Sequence, residues 1–248
     1  MRIMSVNLRY DNPEDGEYIW ENRFPAMKLI WNQVDADVIG IQEGLPHQVN
    51  NLNKAFSIYN YVGKGRDKHG KGEHVGIFFN KNKFSLLDEG HFWLSETPDI
   101  PGSQSYGSAA PRMSTWVLLK YKQKELLFLN THLDHKSEKA KIKGIKIICD
   151  FLNNHLESDG IIITGDLNTP PNSELIHNLL ECGCLKDIFQ TKNKSEPTYH
   201  AFSEEALIAV DYILTSRSFK LESCEVITKK PYGIYPSDHY PICCDIKI

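Results

Sequence analysis

The stretch Ile161-Ile162-Ile163-Thr164 is an unbroken β-branched run that stops at Gly165-Asp166-Leu167-Asn168. β-Branched side chains suit a pleated backbone, and a short apolar run without polar alternation predicts a strand buried on both faces. The polar residues that follow, with Pro170 just beyond, have the composition of an Asx-type turn. Such a strand belongs to a sheet covered on both sides, and its turn sets a carboxylate at the sheet rim.

Working outward, the same arrangement recurs. Ile3-Met4-Ser5-Val6 leads to Asn7, Val38-Ile39-Gly40-Ile41-Gln42 to Glu43, and Leu126-Leu127-Phe128-Leu129-Asn130-Thr131 to His132. Asp238 and His239 stand just ahead of the final strand. Strand ends converge at one rim of an α/β sheet, where ligand sites form. Taken singly these residues are weak signals: an asparagine after a strand is commonly a turn residue, and His132 could be a core histidine. Together they predict one pocket.

The other strands are expected at Arg2–Leu8, Val75–Asn80, Phe84–Leu87, Thr115–Tyr121, Glu125–Asn130, Val210–Leu214, Leu221–Ile227 and Pro241–Ile246. Thr115–Tyr121 and Glu125–Asn130 flank a polar turn and read as a hairpin. Phe24, Met27, Ile30, Trp31 and Val34 recur at helical spacing, which predicts a helix over Trp20–Val34. Val49, Leu52 and Phe56 suggest a second. Ile142, Ile145, Ile148, Cys149 and Leu152 predict the apolar face of a third over Ser137–Leu156, with Lys139, Lys143 and Lys146 on its solvated side. Leu175–Leu180 belongs to a fourth. Ser95–Pro111 carries Pro98, Pro101, Gly102, Gly107 and Pro111 and reads as a long surface loop. Strands outnumber helices, and hairpins mix with crossovers. The fold class is therefore α/β (α+β), layered, with two mixed sheets face to face and helices outside, in a single domain over residues 1–248.

Composition narrows the function. Apolar residues make up 41% of the chain and charged residues 24%, as in ordinary globular domains. A formal net charge of -4 excludes the strong basic excess of a protein that holds duplex DNA mainly by neutralising phosphates. It leaves a nuclease open, because a basic rim or a bound divalent cation can receive phosphate on an acidic protein. Cys149, Cys182, Cys184, Cys224, Cys243 and Cys244 form no C-x-x-C pair and are expected as buried thiols in a reducing compartment. The start of the chain resembles no signal peptide, and no apolar run approaches about 18 residues, so no membrane span and a cytoplasmic location are expected, with a monomer as the default.

The residue types at the strand ends suit hard-cation chemistry. Mg²⁺ prefers oxygen ligands and takes one or two carboxylates from protein. Glu43 is the first choice, with Asn7 and Asp238 nearby. Asp166 is the candidate base or water-orienting group and Asn168 a donor to charge developing on phosphorus-bound oxygen. His239 with Asp211 is a candidate histidine–carboxylate pair.

The chain resembles the endonuclease/exonuclease/phosphatase (DNase I-like) superfamily, in an uncharacterised bacterial branch. The resemblance is carried by Ser5-Val6-Asn7, Gln42-Glu43, Gly72-Glu73-His74, Arg112 with Thr115-Trp116, Asn130-Thr131-His132-Leu133-Asp134-His135, Gly165-Asp166-Leu167-Asn168, Val210-Asp211-Tyr212-Ile213-Leu214 and Ser237-Asp238-His239. It implies a four-layer αββα sandwich. It also implies Asn7, Glu43 and Asp238 at a Mg²⁺ (or Mn²⁺) site, Asp166 as water activator, and Asn168 as its transition-state partner. His239, paired with Asp211, would contact phosphate, as would Arg112. His132 would pair with Glu73, as in the nuclease branch. Trp20 with Arg23, Val62–Asp67 and Phe92–Pro98 carry the resemblance to the bacterial branch. Ser108 departs from it, standing before Ala109-Ala110 where an aspartate is expected.

Three segments are candidates for substrate contact. The loop Lys64–Gly72 is basic and glycine-rich, either a solvated hairpin loop or a phosphate-guiding rim. Phe92 and Trp93 are either core residues or a stacking platform. Trp20 with Arg23 could line the mouth of the site. The function expected is a metal-dependent phosphoester hydrolase, foremost a phosphodiesterase or nuclease working by in-line attack of an activated water on nucleic acid or a nucleotide-like molecule. The alternative is a phosphatase acting on a small phosphorylated metabolite or lipid headgroup, and the third reading is a catalytically silent binding protein on the same fold.

Overall fold

Alternate residues of a strand face opposite ways, and in this protein both ways lead into a core. The computed structural model describes residues 1–191 and 196–248. In β1 (Arg2–Asn7), Ile3 enters a core between two sheets, while Met4 and Val6 enter a second core under helices. In β8 (Gly160–Asp166), Ile162 points between the sheets, and Ile161 and Ile163 point to the helices on the other side. A strand with a core on each face has no polar alternation to show, which is why these runs are continuously apolar.

Six strands form the first sheet, in the order β11 (Lys220–Val226), β12 (Ile242–Lys247), β1, β2 (Val38–Gly44), β4 (His74–Asn80) and β3 (Tyr59–Gly65). The second runs β5 (Ser85–Trp93), β6 (Met113–Tyr121), β7 (Lys124–His132), β8, β10 (Asp211–Ser216) and β9 (Leu185–Asp187). The pairs β1–β2 and β7–β8 are parallel and the other pairings antiparallel, so both sheets are mixed. Helices α1 (Trp20–Val34) and α2 (Pro46–Ala55) cover the first sheet through Met27, Ile30, Trp31 and Leu52. Helices α3 (Glu138–Asn153) and α4 (Glu174–Cys182) cover the second through Ile145, Ile148, Leu152, Ile176 and Leu179. A short α5 spans Ile188–Thr191. The layers are those of an αββα sandwich. No helix among the described residues is long and apolar enough to cross a membrane.

Buried polar side chains bolt the two sheets together beside the site. Asn130 donates to the carbonyls of Ile41 (2.7 Å) and Gly76 (2.9 Å) on the opposite sheet and accepts from Gln42 Nε2 (2.7 Å) and Thr164 Oγ1 (3.0 Å). Gly40 makes the close approach possible, since a Cβ there would stand 2.0 Å from Thr164 Oγ1. A buried network satisfied on this scale fixes one alignment of the sheets.

Several expectations need correction. β3 escaped the strand pattern because Gly63 and Gly65 interrupt it; Gly63 pairs with Gly76 of β4, and the ring of Tyr61 lies where their side chains would be. β9 and α5 are too short for periodicity to reveal. Ile142 is 52% exposed and Lys141 is 6% exposed, the reverse of the expected apolar face. The buried stride of α3 is Lys141, Ile145, Ile148 and Leu152, and position 142 falls about 100° round from it. Cys149 and Cys182 form a disulfide that ties α3 to α4, with their Cα atoms 5.7 Å apart. Cys184 is an exposed thiol, and Cys243 and Cys244 are buried. The cysteines therefore no longer support a reducing compartment, and sequence spacing could not show that two neighbouring helices bring a pair together.

One buried histidine gives the fold an acid sensitivity. His200 is 0% exposed, both its ring nitrogens lack partners among the described residues, and it stacks on Tyr240 at 4.2 Å with Tyr235 tilted against it at 4.3 Å. Burial pushes it down to about 4. Its folded value lies below the unfolded value of about 6.5, so its contribution is complete above that pH and is lost as pH falls toward 4. We expect the His200→Leu variant to gain in melting temperature relative to wild type as pH falls from about 6.5 toward 4. A difference that does not change with pH would remove His200 as a cause.

Candidate active site

The end of β1 supplies Asn7, and the parallel register sets it beside Gln42, one residue before Glu43. The β2–β4 pairing is irregular between Ile41 and Gly44, and Glu43 there has φ 62°. An irregularity of this kind re-aims a side chain, and a bulky residue in the left-handed region is held by its surroundings. On the other sheet His132 is paired with Asp166 across β7–β8, and Asp166 with Asp211 across β8–β10. Asp238 and His239 lie ahead of β12, where the Asp238 carbonyl accepts from the backbone of His200 (2.9 Å) and Ala201 (3.1 Å). Glu73 immediately precedes β4 and Arg112 immediately precedes β6. The two sheets thus contribute to one end of the sandwich.

Asn7 joins the two halves. Its Nδ2 donates to Glu43 Oε1 (3.0 Å) and Asp166 Oδ2 (3.1 Å), and its Oδ1 accepts from the Arg9 backbone (2.8 Å). Its amide nitrogen therefore braces two carboxylates, while its oxygen is turned to the main chain. Glu43 Oε2 accepts from the Tyr10 backbone (3.2 Å).

Asp166 is the centre of the second half. It is 1% exposed, and its Oδ1 accepts from the Asn168 backbone (2.9 Å). His132 Nε2 is 3.4 Å and His239 Nε2 3.8 Å from its Oδ2. Burial pushes the Asp166 carboxyl up to about 7, against the opposing pull of His239. The two histidines part company in charge. Burial alone would depress His239, but Asp211, 2.9 Å from its Nδ1, with Asp166 and Asp238 beside it, outweighs this and holds the imidazolium well above the ordinary range. His132, also buried, feels Arg112 and Arg66 instead and is pushed well below it. Asn168 Nδ2 donates to the Leu133 carbonyl (3.1 Å) and lies 3.1 Å from His132 Nε2.

The arginine side departs from expectation. Glu73 does not hydrogen-bond to His132; its Oε2 accepts from Arg66 Nη1 at 2.6 Å. Arg66 is positioned by Trp93, whose Nε1 donates to the Arg66 carbonyl (2.7 Å). Arg112 is 6% exposed, contacts Asp134 (3.5 Å) and His135 Nδ1 (2.9 Å), and has no partner for Nη1 among the described residues. Asp134 in turn accepts from the backbones of Ala109, Lys136 and Ser137.

A cavity of about 630 Å³ opens over these groups. Glu43, Glu73, Arg112, His132, Asp166, Asn168, Asp238 and His239 line it, whereas Asn7 and Asp211 are not among its lining residues. Arg66 lines it too, from the loop that reads as either a solvated hairpin or a phosphate-guiding rim, and so do Arg9, Tyr10, His135 and Tyr199, to which sequence reasoning assigned no role. For Arg9, Tyr10 and His135 a signal existed, because each stands within three residues of a strand-end candidate. Tyr199 had none. Phe92 and Trp93 are core residues, 7% and 2% exposed, so neither offers a stacking face. Trp20 and Arg23 do not line the mouth. Arg23 is 0% exposed and donates to the carbonyls of Leu8 (2.7 Å), Arg9 (2.9 Å) and Pro236 (2.9 Å), tying the loop after β1 to the one before Asp238.

The donor set fits a divalent cation. Burial is the leading cause that raises the carboxyls of Glu73, Asp166 and Asp238, and Glu43 raises each of them further. Carboxylates crowded to the point of mutual repulsion are relieved by a hard cation. Ligand atoms of Glu43, Glu73 and His132 lie within 4.8 Å of one another. Asp166, Asp211 and His239 form a second such group, but there the histidine already serves as the carboxylates' cation.

Comparison with known proteins places this geometry in company. The sequence profile of a family described as the Endonuclease/Exonuclease/phosphatase family matches residues 20–239. The chain is similar to the mannosyl-6-phosphatase of Bacteroides thetaiotaomicron VPI-5482, at 28% identity and TM-score 0.91 over 100% of both chains. It is also similar to an endonuclease/exonuclease/phosphatase from Bacteroides vulgatus, at 29% identity and TM-score 0.93, covering 100% of this chain and 98% of the other. Among curated proteins, the uncharacterized protein R895 of Acanthamoeba polyphaga mimivirus is 34% identical over 119 residues, 41% of this chain and 17% of that protein. The matched part is thus a small share of that relative's length.

Proposed function

The chain belongs to the endonuclease/exonuclease/phosphatase family, whose members are phosphoester hydrolases, and on that premise we propose that it removes phosphate from a small phosphorylated metabolite with the help of Mg²⁺ or Mn²⁺. The observation that carries the monoester reading is the cavity. About 630 Å³, lined among others by Arg66, Ala109 and Tyr199, falls in the range of small-ligand pockets. The full-length similarity to a mannosyl-6-phosphatase points the same way.

Glu43, with Asp238 and Glu73, would hold the cation, which supplies Lewis-acid polarisation of a phosphoryl oxygen. Asp166, brought near neutrality by burial, orients the attacking water and takes its proton. The His239 imidazolium and Asn168 Nδ2 donate to the oxygens on which charge develops. Arg112 offers to the phosphate its Nη1, which has no partner among the described residues, and Arg66, tied to Glu73, lines the same cavity. Asn7 and Asp211 hold Glu43, Asp166 and His239 in place. With these groups all present and gathered, a silent binding protein has no feature in its favour.

A second reading, phosphodiester cleavage in nucleic acid or a nucleotide, is favoured by the loop Lys64–Gly72. That loop carries Arg66 into the cavity, and its Lys68, His69 and Lys71 are exposed. The deciding experiment compares a phosphomonoester with its matched diester in Mg²⁺, Mn²⁺ and EDTA. Monoester turnover well above diester turnover, abolished by EDTA, is expected; faster diester turnover would transfer the assignment to the second reading. Glu43→Gln should raise the metal concentration needed for half-maximal activity, and an unchanged metal titration would remove Glu43 from the metal site.

A further inference from the structure

Helix α3 carries Lys139, Lys143 and Lys146 on its solvated face, but Lys141 is 6% exposed. Its Nζ donates to the backbone carbonyl of Asn168 at 3.1 Å, and its other charged contact is Glu138, one turn back and 69% exposed. Withdrawing an ammonium from water is unfavourable unless its partners compensate for the lost hydration. A solvated carboxylate on the same helix returns little of that, since exposed ion pairs are weak. Packing does not explain the choice either, because the neighbouring positions of this stride are isoleucine and leucine.

What Lys141 does hold is the backbone of a turn residue. Asn168 has φ 47°, in the left-handed region that asparagine tolerates better than most residues. Its N–H is fixed by Asp166 Oδ1, its Nδ2 by the Leu133 carbonyl, and its own carbonyl by Lys141. The carbonyl sets the plane of the following peptide, and with the N–H it determines where the side chain points. We propose that Lys141 is a positioning residue for hydrolysis: its buried ammonium locks the Asn168 backbone so that Nδ2 faces the reacting phosphate. This inference rests on the role given to Asn168 under the proposed function.

The test uses Lys141→Met, which keeps the length of the side chain and removes the charge, and Lys141→Arg, which restores a donor. With p-nitrophenyl phosphate and Mg²⁺ or Mn²⁺, Lys141→Met should lower kcat by about ten- to a hundredfold, the scale of a small misplacement of a reacting group, with KM little changed. Lys141→Arg should recover most of the loss. In an Asn168→Ala background, Lys141→Met should cost nothing further, a coupling that a purely structural role would not produce. Wild-type kcat in Lys141→Met, or full additivity with Asn168→Ala, overturns the proposal. Should the wild-type protein cleave neither this probe nor any diester, the proposed function fails first. The side-chain amide resonance of Asn168 then decides on Lys141, since its remaining unmoved in Lys141→Met would overturn the lock.

Discussion

Asp166→Ala is expected to lower turnover by about two or more orders of magnitude, the scale for loss of a general base or water-orienting group. The carboxyl is 1% exposed and held by Asn7 and the Asn168 backbone, so it cannot be replaced by a neighbour or by bulk water. Stability should move the other way. The fold lifts this carboxyl to about 7, above the unfolded value of about 3.9, so ionising it destabilises the folded state as pH rises through that window. In EDTA, Asp166→Asn should therefore gain in melting temperature relative to wild type between pH 4 and pH 8. Near-wild-type turnover in either variant would refute the role; a relative melting temperature that falls with pH would refute the account of its burial.

Asp211→Asn should be nearly as damaging, about two to three orders of magnitude, the range for loss of a positioned charge-stabilising donor. The 2.9 Å contact with Nδ1 is what lets His239 stay protonated although it is buried. Without that carboxylate the hold on the proton weakens, and the imidazole sheds it at a lower pH. A step that needs the imidazolium then fails earlier as pH rises, so the alkaline limb of the kcat profile should shift to lower pH. A limb that stays in place would mean that His239 does not act as a cation.

Both variants probe residues that are legible in the sequence itself. Asn7, Glu43, His132, Asp166 and Asp238 announce themselves as polar residues that end or adjoin apolar strands. Arg66 was hidden in a loop whose lysines and glycines read equally well as solvent-facing. Lys141 was hidden among lysines that do face solvent, and the assignment of Ile142 to the core put the helix face one position out. Glu73 was found, but its partner was not: Arg66 reaches it across a hairpin turn, while His132 is turned to Asn168 and Asp166.

The difference is one of range. Most strands and helices, and the polar residues at their ends, are legible from the chain alone, because side chains alternate at two residues in a strand and recur near 3.6 in a helix, and these periods come from the local backbone. Which tips meet depends on tertiary packing. Asn7 and Asp166 are 159 residues apart and lie on different sheets, brought to 3.1 Å by the Asn130 network that aligns those sheets. The disulfide of α3 with α4, the burial of Lys141 and the charges of His132 and His239 depend in the same way on what packing places within a few ångströms, and local periodicity carries no such information.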